Sequence, residues 1–114
     1  MGRLAGYPQA YAAPEVAQVI YSRNGLANLD RLYRFLAEKN PDAATRAIRT
    51  IRDKIKFLSQ HPRLGRIDSE RPDFRELLIP FGDSGYVARY RLDGKTVIIL
   101  AVRHAREAGY YVES

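Results

Sequence analysis

An α+β fold with the order strand, helix, helix, strand, strand, strand follows from three observations. An Asp93-Gly94 pair separates two β-rich runs, 86–92 and 95–102. Such a pair is a strong hairpin signal, because the turn needs positive φ and both residues tolerate it. Two stretches upstream, 23–39 and 41–60, carry apolar residues at helical spacing. The run 97–102 is apolar without alternation, the pattern of a strand covered on both faces and so central in its sheet. Together these predict a four-stranded sheet, antiparallel or mixed, covered on one face by a helical hairpin.

Residues 16–21 read as the first strand, and Ser22 after it offers an N-cap oxygen. In the first helix Leu26, Leu29, Leu32, Tyr33 and Leu36 form the stripe. Gly25 in its first turn costs little. Asn40 then caps the second helix, with Pro41 at its first position, where the missing N–H is not needed. The second stripe is Ala44, Ile48, Ile51, Ile55 and Leu58, and Arg46, Arg49, Arg52, Asp53 and Lys56 lie outside it. Core packing explains both stripes. The basic outer face reads as a solvated surface or as a binding patch. His61-Pro62 ends the helix, since the residue before proline is pushed out of the α region.

Residues 67–72 read as a polar loop and 73–80 as a strand. Phe74, Glu76 and Leu78 share one face of it, Arg75, Leu77 and Ile79 the other. In the next strand Arg89 and Arg91 share a face opposite Tyr86, Ala88 and Tyr90. Next to 97–102 the first strand is the expected neighbour. Residues 1–15 read as a flexible leader, with Tyr7 and Tyr11 as the groups able to pack back. Residues 16–106 read as the single domain and 107–114 as a tail with little to anchor it.

With no cysteine the chain has neither disulfides nor thiolate metal sites, which fits a reducing, cytoplasmic setting. Two histidines are too few for a histidine-built zinc site, and no motif implies a cofactor. No run approaches a membrane span, and the N-terminus lacks the pattern of a secretory signal. The net charge is +6 and fifteen of the nineteen basic residues are arginine. Arginine forks onto phosphates and carboxylates, so the balance points to nucleic acid or an acidic protein as partner, or simply to solubility. Arg66, Arg75, Arg89, Arg91, Arg103 and Arg106 all fall on the sheet half or the loop entering it. Catalysis on RNA would need a phosphate clamp, for which Arg89 and Arg103 are candidates. It would also need a proton donor or acceptor, for which His104 is the one placed histidine. His104 reads first as a residue fixing the chain end, by a hydrogen bond to backbone or a carboxylate.

Several words occur in a particular order: Tyr21-Ser22, Asn40-Pro41-Asp42-Ala43-Ala44, His61-Pro62-Arg63-Leu64-Gly65-Arg66, Phe74-Arg75-Glu76-Leu77, Tyr90-Arg91-Leu92-Asp93-Gly94 and Val102-Arg103-His104-Ala105-Arg106. With the element order, they resemble the RelE/ParE toxin superfamily of bacterial type II toxin–antitoxin systems, most of all its ParE branch. The resemblance implies a toxin neutralised by a cognate ParD- or RelB-like antitoxin. That antitoxin's acidic, disordered tail would fold on the helix hairpin and sheet edge in a hetero-oligomer. It implies one of two targets: DNA gyrase, poisoned by ParE-like members, or mRNA in the ribosome, cut by RelE-like members. Ribonuclease members carry a basic residue early in the third strand, where this chain has Gly85, Tyr86 and Val87. They carry a His or Tyr beyond the last strand, where His104 stands one place early, and a lysine pair before the second strand that is absent here. These departures favour gyrase inhibition without catalysis; the alternative is an endoribonuclease using Arg89, Arg103 and His104. The expected antitoxin- or target-binding set is Arg66, Arg75, Arg89, Arg91, Arg103, His104 and Arg106, with Leu29, Tyr33 and Leu36 of the first helix.

Overall fold

The computed structural model describes residues 16–110; the expected leader, with Tyr7 and Tyr11, and the end of the tail lie outside the described residues. The elements are β1 (Gln18–Tyr21), α1 (Arg23–Ala37), α2 (Pro41–Lys56), a 3-10 turn (Phe57–Ser59), β2 (Arg66–Ile67), β3 (Phe74–Phe81), β4 (Ser84–Asp93) and β5 (Thr96–His104). The sheet has five strands rather than four, in the order β1-β5-β4-β3-β2. The addition is β2, formed by Arg66 and the first residue of the expected polar loop, Ile67, which pair antiparallel with Glu76 and Arg75. Two residues are too few for a periodic signal, so only their tertiary pairing defines them. β1 lies beside β5 as expected and runs parallel to it, which makes the sheet mixed.

Both helices start where capping chemistry sets them. The Ser22 hydroxyl accepts the Gly25 amide and the Asn40 side chain accepts the Ala43 amide, each at 3.0 Å. Gly25 is more than tolerated: a Cβ there would lie 2.6 Å from the Ile99 carbonyl oxygen, so α1 starts in direct contact with β5. The core lies between the helices and one face of the sheet. Leu29, Leu32, Ile51, Ile55 and Leu58 pack there on Leu77, Ile79, Ala88, Tyr90, Val97 and Ile99. Leu78, on the other face of β3, is 57% exposed.

The β4–β5 hairpin breaks register once: Arg89 pairs with Ala101 and Tyr90 with Ile99, so Leu100 bulges. The bulge diverts backbone groups from the ladder, and α1 receives them. Asn24 donates to the Leu100 carbonyl at 2.9 Å, the Ser22 hydroxyl donates to the same oxygen at 3.3 Å, and Asn28 accepts the Val102 amide.

Candidate functional site

Sheet alternation and position along the strands separate the predicted residues into three places. The open face holds Arg89 and Arg103, the edge beside α1 holds His104, Arg106 and Leu36, and the end of the sheet near the β4–β5 turn holds Arg75 and Arg91. Arg66 lies exposed on β2, opposite Glu76. Leu29 is 5% exposed and belongs to the core, so its assignment to a binding surface is corrected: its position on the stripe turns it to the sheet. Tyr33 is exposed and lines a shallow cavity with Arg49 and Arg52.

On the open face the Arg89 guanidinium contacts Asp68 Oδ2 at 2.9 Å and Glu76 Oε2 at 3.6 Å. Asp68 Oδ1 accepts the Glu70 amide at 2.8 Å and the Arg71 amide at 3.2 Å. The Glu70 amide first, then the Arg71 amide and the Arg89 charge, hold its carboxyl below the usual carboxylate range. Tyr110 closes the cluster. Its ring lies under the guanidiniums of Arg89 at 4.5 Å and Arg103 at 5.0 Å, and its hydroxyl donates to Glu76 Oε2 at 2.6 Å. Burial, and then the Glu76 carboxylate, push this phenol well above its ordinary value.

The start of the expected unanchored tail is therefore tied down. Arg103 Nη1 donates to the carbonyls of His104, Ala105 and Glu107, and Glu107 accepts from Arg31 and from the His104 amide. The sequence signals for this anchoring are slight: Gly109 before an aromatic residue, and a glutamate at the end of a basic run.

His104 lies on the opposite side of β5 from Arg103. Its ring meets Tyr86 edge-on at 5.4 Å, and its Nδ1 accepts the Arg106 amide at 3.1 Å. With Leu32, Phe35, Leu36 and Arg31 it lines a largely apolar cavity of about 410 Å³ beside α1. The expected grouping of His104 with Arg89 and Arg103 is thus not formed, because strand alternation sends neighbouring residues to opposite faces. Instead, Tyr110 joins the two arginines.

Among the described residues no group of three His, Asp or Glu is arranged to hold a metal ion, and no helix is long and apolar enough to cross a membrane.

Residues 19–109 match the family described as the ParE toxin of type II toxin–antitoxin systems, parDE. Toxin RelE3 of Caulobacter vibrioides is 41% identical over 80 residues, covering 70% of this chain and 85% of the relative. Toxin ParE3 of the same organism is 34% identical over 92 residues, covering 80% and 89%. A solved chain described as the chromosomal ParDE system from P. aeruginosa superposes with a TM-score of 0.68 at 24% identity. It covers 82% of this chain and all of the solved one, a likeness of fold. Element order, the words along the sequence and the match across nearly the whole described region agree: the chain belongs to the ParE family of toxins of type II toxin–antitoxin systems.

Proposed function

We propose that this toxin acts by binding, as a ParE-type inhibitor of DNA gyrase, and is neutralised by a cognate antitoxin with an acidic, apolar tail. The observation that carries the reading is the state of the open-face cluster. Arg89 is already paired with Asp68 and Glu76, Tyr110 is held as a neutral donor, and His104 is on the other face. The carboxylate beside the cationic pair, Glu76, already accepts the Tyr110 hydroxyl and contacts Arg89, so neither it nor His104 stands free there as the general base that RNA cleavage needs. The apolar cavity beside α1, rimmed by Arg31, Arg106 and His104, suits an amphipathic segment carrying carboxylates. The test is a supercoiling and cleavage-complex assay with the purified toxin. Gyrase inhibition relieved by antitoxin is expected; no effect at concentrations that stop growth would sink the proposal.

A second reading, a RelE-like ribosome-dependent endoribonuclease, is favoured by Tyr110 lying between Arg89 and Arg103. Their two guanidiniums, gathered on one ring, are the kind of cationic clamp that a phosphoryl group needs. In that reading Tyr110 and Glu76, rather than His104, handle the proton. Toeprinting on translating ribosomes with Tyr110→Phe distinguishes the two, since cleavage that depends on the hydroxyl belongs to the second reading alone.

A further inference from the structure

A separate cleft of about 610 Å³ opens at the end of the sheet, lined by Arg63, Pro72, Asp73, Arg75, Arg91, Leu92 and Asp93. Its central group is Arg75. Nη1 of that guanidinium donates to two backbone carbonyls, Arg63 at 3.1 Å and Gly65 at 2.8 Å. Both of its hydrogens are thereby used. The acceptor loop is itself fixed. The Tyr90 hydroxyl donates to the Pro62 carbonyl at 2.7 Å and accepts the Gly65 amide at 2.8 Å, and Tyr90 is fully buried. The Arg75 plane is thus locked to the core through two layers of hydrogen bonds. Its remaining edge, Nε and Nη2, has no acceptor within the described chain, and no carboxylate forms an ion pair with it. That edge is the side of a guanidinium that forks onto an oxyanion. Arg63 and Arg91 flank it, both exposed.

We infer that this cleft binds a phosphate of a nucleic-acid backbone, with Arg75 as the preorganised fork and Arg63 and Arg91 as flanking charges. The two rim carboxylates select for this ligand. Asp73 and Asp93 are placed to accept hydrogen bonds from base amino groups or sugar hydroxyls beside the phosphate, donors that the side chains of a carboxylate-rich peptide do not carry. The cleft is also larger than a lone carboxylate fills. It lies apart from the open-face cluster and from the apolar cavity, so the inference does not depend on which target the toxin poisons.

The test titrates labelled duplex DNA, single-stranded DNA and RNA of one sequence with the purified full chain, freed of antitoxin, by fluorescence anisotropy across a range of salt. The three probes share the phosphate and so identify its source. Arg91→Gln is expected to weaken binding to at least one of them several-fold and to reduce the slope of log affinity against log salt by about one. Arg75→Lys, which keeps the charge but loses the fork, is expected to weaken it by about tenfold. Arg49→Gln, on the outer face of α2, is expected to leave binding unchanged. Equal losses from Arg49→Gln and Arg91→Gln would reduce the effect to net charge and overturn the inference. So would nucleic-acid affinity indifferent to both Arg75 and Arg91, or a dependence on Arg75 seen only with polyglutamate as ligand. Arg75 also braces the loop, so thermal melts accompany each variant. Arg91→Gln, which removes no contact within the fold, decides the matter if Arg75→Lys unfolds.

Discussion

Asn28 accepts the Val102 amide at 2.9 Å through its side-chain oxygen, and Asn28 is the one buried polar residue of the described core, at 0% exposure. A helix side chain thereby completes the hydrogen bonding of a strand that the Leu100 bulge has pushed out of register. Replacing Asn28 with Ala or Leu leaves that amide buried and unpaired. The expected loss is about 1–3 kcal/mol of folding stability, read from urea unfolding midpoints. Leu, though it fills the volume, is not expected to rescue it.

The Tyr90 hydroxyl makes two hydrogen bonds to the 62–65 loop. Tyr90→Phe is expected to cost about 1–3 kcal/mol, since the Gly65 amide loses its buried acceptor. Gly65→Ala attacks the same contact from the other side. A Cβ at 65 would stand 2.6 Å from Tyr90 Cε1 and 2.7 Å from its hydroxyl, inside van der Waals contact. The same denaturation series is expected to place it about 1–3 kcal/mol below the parent, as overpacked sites generally are.

Alkali should loosen the open-face cluster. Burial first, with Glu76 adding to it at Tyr110, raises the phenols of Tyr21, Tyr86, Tyr90 and Tyr110 above their unfolded value of 10.0. A raised folded-state pKa means stability fully present below that unfolded value and lost as pH climbs through the folded ones. Melting temperature is therefore expected to be flat across neutral pH and to fall above about pH 10. Tyr110→Phe is expected to make that fall shallower. At the acid end Asp68 has the opposite sign: its contribution is present above the unfolded carboxyl value and lost as pH drops through the depressed one.

Phe35 is 61% exposed on the rim of the apolar cavity, next to Leu36 and His104. If an antitoxin segment fills that cavity, Phe35→Ala should weaken the complex by about tenfold or more, measured by calorimetry, with little change in the toxin's own stability. His104→Ala should weaken the same complex while leaving growth inhibition intact, because the imidazole faces the cavity and not the arginine pair. Loss of toxicity with normal antitoxin binding would reverse that assignment.

Much of this architecture was legible because it is written in local chemistry. Ser22, Asn40 and Pro41 mark helix starts, Gly94 takes its turn at φ 61°, and the unbroken run 97–102 announces an inner strand. The faces of Arg89, Arg91, Tyr86, Ala88 and Tyr90 follow from alternation alone. What escaped was what only distant residues determine. β2 is two residues held by pairing with β3, and the Leu100 bulge needs α1 to receive its backbone. Tyr110 reaches the arginine pair only because Glu107 and Arg103 turn the chain back. One clue to the bulge was present: Asn24 and Asn28 sit one turn apart on the flank that leads to Leu32, a polar pair where an apolar stripe should run. The candidate site was half legible, since the arginines were named but their acidic partners and the position of His104 were not.

The parallel pairing of β1 with β5 makes the first described strand neighbour the last, and the bonds from Ser22, Asn24 and Asn28 to β5 span 78, 76 and 74 residues of chain. Such contacts give a high contact order and a late loop closure. During synthesis the helical hairpin has no sheet centre to dock on until β5 has cleared the ribosomal exit tunnel. A translation product cut short before β5 therefore lacks the strand that receives α1 and carries Arg103 and His104, and neither the open-face cluster nor the apolar cavity forms on it.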